Sequence, residues 1–464
     1  MRARSVPLVA ASLLLGGCTM IPRYSRPPAP VPDAWPESAA AAGEGAPAAA
    51  DVGWREFFTD PRLRSTIELA LANNRDLRVA SLNVEKAGAL YRIQRGEAYP
   101  GIGAMASGEI HRLPEKMTES GEAEIVEAYS VHVGVASWEP DFFGRIRSLK
   151  ARALEQYLAT EQAHVAGRIS LIAGTATAWL VLAADLEGLG LARSTLETQQ
   201  ATLDLIRRSR DLGMVSDLDL RQAESQVETA RAAVARLLGL VAVDRNMLDL
   251  LVGTPVAGDL LPDGLDPVTA PGGVSPGLPS EVLLRRPDIL LAEHRLKAAN
   301  ANIGAARAAF FPSITLTAGF GTQSAELSDL FGPGTRTWTC APSIVAPIFA
   351  GGSLRANLRA TEVEREIAVA EYEKAIQTAF AEVGDALTLR KTLAERRDAE
   401  EALVRALEAA FRLSDARYRG GLDGYLGVLI AQRSLFAAQQ ALVGARLAEQ
   451  ANLVTLYKVL GGGA

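Results

Sequence analysis

Between Asp141 and Thr254 the chain has no proline, and it has none again from Ile348 to its last residue. Proline costs a helix interior roughly 3 kcal/mol, because it lacks an N–H and clashes with the preceding turn. Two such stretches, both rich in Ala, Leu, Glu, Gln and Arg, therefore predict very long helices. Each is broken once by a short glycine-containing turn, at Gly213 and at Gly420-Gly421. Within the second stretch Leu403, Leu407, Ala410 and Leu413 recur at the spacing of a coiled-coil seam. A helix of roughly 65 residues runs on the order of 100 Å at about 1.5 Å per residue. No compact globule accommodates that.

The chain also repeats itself. Asn74-Arg75-Asp76-Leu77 opens a stretch that ends at Tyr99-Pro100, and Arg286-Pro287-Asp288-Ile289 opens another that ends at Phe311-Pro312. The two align without a gap, and Arg95 falls on Arg307. Further on, Phe143-Gly144-Arg145 lies opposite Gly351-Gly352-Ser353, and Arg210-Asp211-Leu212-Gly213 opposite Arg417-Tyr418-Arg419-Gly420. One plan used twice explains three matches in order better than chance does. This divides the chain into a first repeat at 60–260, a Gly/Pro-rich linker at 261–278 and a second repeat at 279–464.

Other segments do not read as helix. From Pro312 to Thr322, Ile314, Leu316, Ala318 and Phe320 alternate with Thr315, Thr317, Gly319 and Gly321. A period of two with one apolar and one small or polar face is the pattern of a barrel strand. A partner strand is expected over about 337–349, and the first repeat offers a matching pair at about 101–111 and 128–138. Trp138, Trp338 and Tyr129 are candidates for an aromatic girdle at a membrane interface. Four strands cannot close a barrel, since the smallest outer-membrane barrels have about eight. Three copies sharing their strands would close one of twelve, continued by a tube of twelve helices.

The N-terminus has its own signal. Arg2 and Arg4 precede an apolar run from Val6 to Leu15, and Leu15-Gly16-Gly17-Cys18 follows. A basic start, a short apolar segment and small residues describe a secretory signal peptide over 1–17. The run is too short to span a bilayer, which takes about 20 residues. Cysteine directly after the small residues matches the bacterial lipobox, so Cys18 is expected to carry covalent lipid. Residues 18–59, rich in Pro and Ala, then read as an extended tether. Cys340 has no cysteine partner left and fits a small buried residue. Beyond Cys18 no uncharged apolar stretch is long enough for a membrane helix, which leaves strands closed into a barrel as the route across a membrane. A net charge of −6 and the lack of a basic cluster argue against nucleic acid.

At this point the chain resembles the outer membrane factor family, the TolC-like exit ducts, and within it the OprM-like lipoproteins. The resemblance rests on Trp54-Arg55-Glu56-Phe57-Phe58, Asn73-Asn74-Arg75-Asp76-Leu77-Arg78, Trp138-Glu139-Pro140-Asp141-Phe142-Phe143-Gly144-Arg145, Arg285-Arg286-Pro287-Asp288-Ile289 and Ala308-Ala309-Phe310-Phe311-Pro312-Ser313-Ile314. It covers the chain from Cys18 to the terminal glycines. It implies an α+β membrane protein: a homotrimer with a twelve-stranded β-barrel in the outer membrane, four strands per chain, and a long periplasmic α-helical barrel. It implies a passive exit duct for drugs and other small molecules, anchored in outer-membrane lipid. The partners would be a periplasmic membrane fusion adaptor and an inner-membrane pump of the resistance-nodulation-division class.

The resemblance also implies a gate where the helices reverse at the periplasmic tip. In this family a tyrosine of the second-repeat turn bonds an aspartate of the first-repeat turn, positions that fall on Tyr418 and Asp219, with Asp217 nearby. An apolar ring matches Leu426, and an arginine that helps hold the gate matches Arg433. The acidic ring of the lipoprotein branch falls on Ile430, so an acidic constriction is not expected there; Asp423, one turn earlier, is the candidate substitute.

Enzyme chemistry finds no support. His111, His132, His164 and His294 are scattered, with no second ligand at metal-site spacing. No phosphate-binding Gly-Lys-Ser/Thr loop and no Gly-x-Ser-x-Gly elbow occurs. No cofactor is expected besides the lipid on Cys18. Two alternatives stay open: the same duct serving type I protein secretion, and a lipid-anchored coiled-coil periplasmic adaptor.

Overall fold

The computed structural model describes residues 19–32, 35, 51–269 and 285–462. The expected signal peptide, Cys18 and the second half of the linker lie outside them. The proline-free stretches are helical from Arg145 and from Ser353 onward, each with one break. They give α4 (Arg145–Asp211) and α5 (Asp217–Val252) in the first repeat, and α7 (Ser353–Arg419) and α8 (Tyr425–Val459) in the second. The duplication shows in the lengths, since α4 and α7 both have 67 residues. The helices that precede the strands match as well: α3 (Arg75–Gly96) and α6 (Pro287–Ala308) have 22 residues each. Two short helices, α1 (Trp54–Phe57) and α2 (Pro61–Asn73), lead into the first repeat. Asp60 caps α2 by accepting from the amides of Arg62 and Leu63.

By length and composition alone α4 and α8 would pass as membrane spans. In α4, however, 61% of the apolar window is buried in the packing, as in a core helix.

The chain forms two compact units. The first takes in residues up to Pro28, Asn83–Glu161 and Leu291–Tyr372. Its centre is one antiparallel sheet in the order β1 (Ile102–Leu113), β2 (Glu124–Trp138), β3 (Ser313–Ser324), β4 (Arg336–Val345). The expected strands are present with shifted ends. β1 and β2 extend further into their hairpin, whereas β4 stops at Val345 instead of 349, just ahead of Pro347, which has no N–H to donate to a ladder. Register sets one apolar face, with Val133 opposite Phe320 and Phe320 opposite Trp338. Phe320, Trp338 and Ile344 are largely exposed there. A Cβ on Gly321 would collide with the Val131 carbonyl of the next strand, so this position requires glycine. Cys340 is not buried; it stands exposed on the same apolar face.

The N-terminal segment within this unit is docked to α6. Arg26 grips Glu293 through Nη2–Oε2 at 2.6 Å and Nε–Oε1 at 3.2 Å. Tyr24 donates to the same carboxylate at 3.1 Å, and Lys297 sits 3.1 Å from it. Burial works to raise the Glu293 carboxyl, but the bonds from Arg26 and Lys297 win and hold it below its ordinary value.

The second unit takes in Ala29–Leu82, Gln162–Leu290 and Glu373–Ala464. Its core joins Trp54, Phe57 and Phe58 to Trp179 of α4, Leu248 of α5, Val383 of α7 and Tyr457 of α8. Phe57 stacks on Tyr457 at 4.0 Å between ring centroids, and Trp35 on Phe380 at 4.9 Å. The end of the expected tether is therefore core, because three large aromatic residues gain more from burial than from water. Leu265 and Val268 of the expected linker are buried in the same cluster. Buried Arg286 donates to Asp288, to Glu382 and to the Val459 carbonyl, which fixes the start of α6 against the end of α8.

The seam expected at Leu403, Leu407, Ala410 and Leu413 is not the buried stripe of α7. Val404 is buried and Phe411 packs inward, while Leu403 and Leu413 are exposed. Period alone cannot say which of two adjacent apolar stripes a helix covers within its own chain.

Candidate gate at the helix turns

Both long hairpins of the second unit turn by the same backbone device. In the first, Met214 N–H donates to the Ser209 carbonyl at 2.9 Å and Gly213 N–H to Arg210 at 2.8 Å. In the second, Leu422 N–H donates to Arg417 at 2.9 Å and Gly421 N–H to Tyr418 at 2.9 Å. These are paired helix-terminating bonds around one left-handed residue, Gly213 at φ 73° and Gly421 at φ 68°. Glycine fills that conformation without steric cost.

The two turns lie against one apolar cluster. It contains Leu203 and Ile206 of α4, Leu220, Ala223 and Val227 of α5, and Tyr425, Val428 and Leu429 of α8. Tyr418 and Phe411 of α7 pack against it. Tyr418 meets Tyr425 with ring centroids 5.3 Å apart. The Tyr425 hydroxyl is buried without a hydrogen-bond partner, and burial, then Tyr418, pushes its pKa up to about 12.

Of the expected gate residues, Tyr418 and Asp219 come close, but they do not form the expected bond. Asp219 accepts from the Ser216 amide at 3.1 Å and from the Ser216 hydroxyl at 2.6 Å, while its own amide donates back at 3.2 Å. This is a capping box that starts α5, and it engages Oδ2 of the carboxylate twice. Tyr418 feels Asp219 only as a charge: burial first, then that carboxylate, raises its hydroxyl above the ordinary value. Asp217 lies 3.6 Å from Arg210. Asp423 is held by Arg417, with Nη2–Oδ1 at 3.0 Å, and this bond lowers its pKa.

Leu426, Ile430 and Arg433 share one exposed face of α8, beside the buried face of Tyr425, Val428, Leu429 and Gln432. Leu426 is 54% exposed and Ile430 60%. Ser216, Arg417 and Tyr425 were missed in the sequence. Serine three residues ahead of an acid at the start of α5 was the signal for the first. The other two depend on which side chains the turn brings together.

A second concavity in this unit, about 910 Å³, is lined by Asp244, Glu382, Asp385 and Lys458. Burial, then a hydrogen bond and repulsion from Asp185, pushes the Asp244 carboxyl up to about 6. Among the described residues no group of three or more His, Cys, Asp or Glu is placed to hold a metal.

Two long helical hairpins and two strand pairs, built on one plan, are a pattern with known counterparts. The family model described as outer membrane efflux protein matches residues 66–254 and 278–462. The chain belongs to that family. It is 48% identical over 459 residues to the toluene efflux pump outer membrane protein TtgC of Pseudomonas putida, covering 98% of this chain and 95% of that one. Outer membrane protein OprJ of Pseudomonas aeruginosa is 43% identical, with 99% and 96% covered. Among solved structures, the open state of the MtrE outer membrane channel of Neisseria gonorrhoeae superposes with a TM-score of 0.88. That structure is 40% identical and covers 96% of this chain and 98% of its own. The family is one of outer-membrane channels, not of enzymes.

Proposed function

We propose that this chain is the passive outer-membrane exit duct of an efflux pump, assembled as a homotrimer and closed at its helix turns. The observation that carries the reading is the sheet. β1 and β4 are its two ends, joined to nothing further within the described residues, and one face is exposed and apolar. In lipid every strand edge must be paired, so β4 of one copy joins β1 of the next. Three copies supply twelve strands, within the range of outer-membrane barrels. The family resemblance supports the long helices α4, α5, α7 and α8 forming a periplasmic tube that continues this barrel. Cys18, if acylated, tethers the assembly to the inner leaflet of the outer membrane.

The resemblance of Tyr418, Asp219, Leu426 and Arg433 to gate positions supports closure at the turns, with Asp217 and Asp423 nearby and Ile430 standing where the lipoprotein branch has an acid. The names of the relatives support a membrane fusion adaptor and an inner-membrane pump as partners, with small toxic compounds as cargo. No step of the reaction needs chemistry; diameter and electrostatics do the selecting.

The test is electrical. Full-length protein extracted in detergent, with its mass determined, is added to planar bilayers. A trimer with discrete, ohmic conductance steps is expected. Trimers that insert without conductance would sink the duct reading.

A further inference from the structure

The turns are unevenly charged. Every acid of the two turns is already engaged: Asp211 and Asp217 with Arg210, Asp415 with Arg419, Asp423 with Arg417. Asp219 is committed to Ser216. Arg433 is different. It is exposed on the α8 face shared with Leu426 and Ile430, and it has no carboxylate partner among the described residues.

An unpaired guanidinium is costly to bury, and no tip carboxylate is spare to receive it from a neighbouring copy. The face it shares must therefore remain against water. Leu426 and Ile430 follow one another at helical spacing on that face, each more than half exposed, and Leu422 stands exposed in the turn just before it. An apolar stripe that stays wet on one side and ends in a cation fits the wall of a conduit. Apolar constrictions resist conduction by shedding water, and the nearest fixed charge then decides which ions enter.

We infer that Leu426 and Ile430 form an apolar collar whose fixed charge is Arg433, so that the constriction admits anions in preference to cations. This rests on the duct reading above. Three copies place three guanidinium groups one helical turn beyond the apolar rungs. The solutes favoured are small anions and organic molecules without positive charge; inorganic cations are excluded by repulsion from the three guanidinium groups.

The experiment is the reversal potential of single channels of the full-length protein under a KCl gradient. The parent is expected to reverse on the chloride side. Arg433→Lys keeps that sign. Arg433→Gln moves the reversal toward zero, and Ile430→Asp, which sets a carboxylate one turn from Arg433 and cancels its charge, moves it the same way. Because Arg433 is exposed, trimer yield should match the parent in all three variants. A parent that prefers potassium, or an Arg433→Gln variant that reverses where the parent does, overturns the inference while leaving the duct in place. Trimers without conductance would remove the duct and this inference together.

Discussion

The two helix turns are copies of one plan, yet they are fastened differently. The first is tied on both sides of its glycine, with the Gly213 bonds ending α4 and the Ser216–Asp219 box starting α5. The second has the same helix-ending bonds at Gly421, but α8 begins at Gly424, which offers no side-chain cap. Its side-chain ties are the exposed Arg417–Asp423 pair and the packing of Tyr418 on Tyr425. A capping box is worth about 1 kcal/mol, and an exposed ion pair less than that. Where a channel must open by rearranging a turn, the cheaper turn to rearrange is the second. On the proposed duct reading, the first turn is the fixed jaw and the second, with Tyr418 and the Leu426 face, the moving one.

Native-state hydrogen exchange at the amides of the two turns can break this comparison. The largest expected effect is from the glycines. Gly213→Ala and Gly421→Ala each force a left-handed alanine and should lower local stability by about 1–2 kcal/mol, equally in both turns. A clear inequality would mean the helix-ending bonds are not equivalent. Next, Ser216→Ala should cost about 1 kcal/mol in the first turn alone, bringing its exchange close to that of the second. Gly424→Ser should add a few tenths of a kcal/mol to the second turn. If it leaves exchange there unchanged, the missing cap is not what loosens that turn.

The smallest effect is one of pH. Arg417 lowers the Asp423 pKa, so the pair's contribution is complete above the ordinary carboxylate pKa, about 3.9, and fades as pH falls through the lowered value. Protection factors at the second turn, corrected for the intrinsic exchange rate at each pH, should fall in acid, and Arg417→Gln should abolish that dependence. An acid response that survives Arg417→Gln would assign it to another group.

Much of this was legible in the sequence, because the signals were local. Absence of proline marked α4, α5, α7 and α8, and alternation marked β3. Glycine marked both turns, although the left-handed residue of the second is Gly421 and not Gly420. What the sequence hid was long-range. The Arg26–Glu293 clamp joins residues 267 apart, and Trp54, Phe57 and Phe58 follow a Pro/Ala-rich segment that reads as tether. At the candidate gate, the positions were visible through resemblance. Their bonding was not, because Asp219 can satisfy itself three residues away, with Ser216, before it reaches Tyr418.

The central claim is that the turns hold a duct shut. Its most direct test is single-channel conductance of the parent against a Tyr418→Phe, Asp219→Ala double variant in planar bilayers. This change loosens the first turn's cap and removes the polar end of Tyr418 beside the second. The account predicts a small parent conductance that rises several-fold in the variant. Equal conductances from equally stable trimers would contradict it and place the barrier away from these turns.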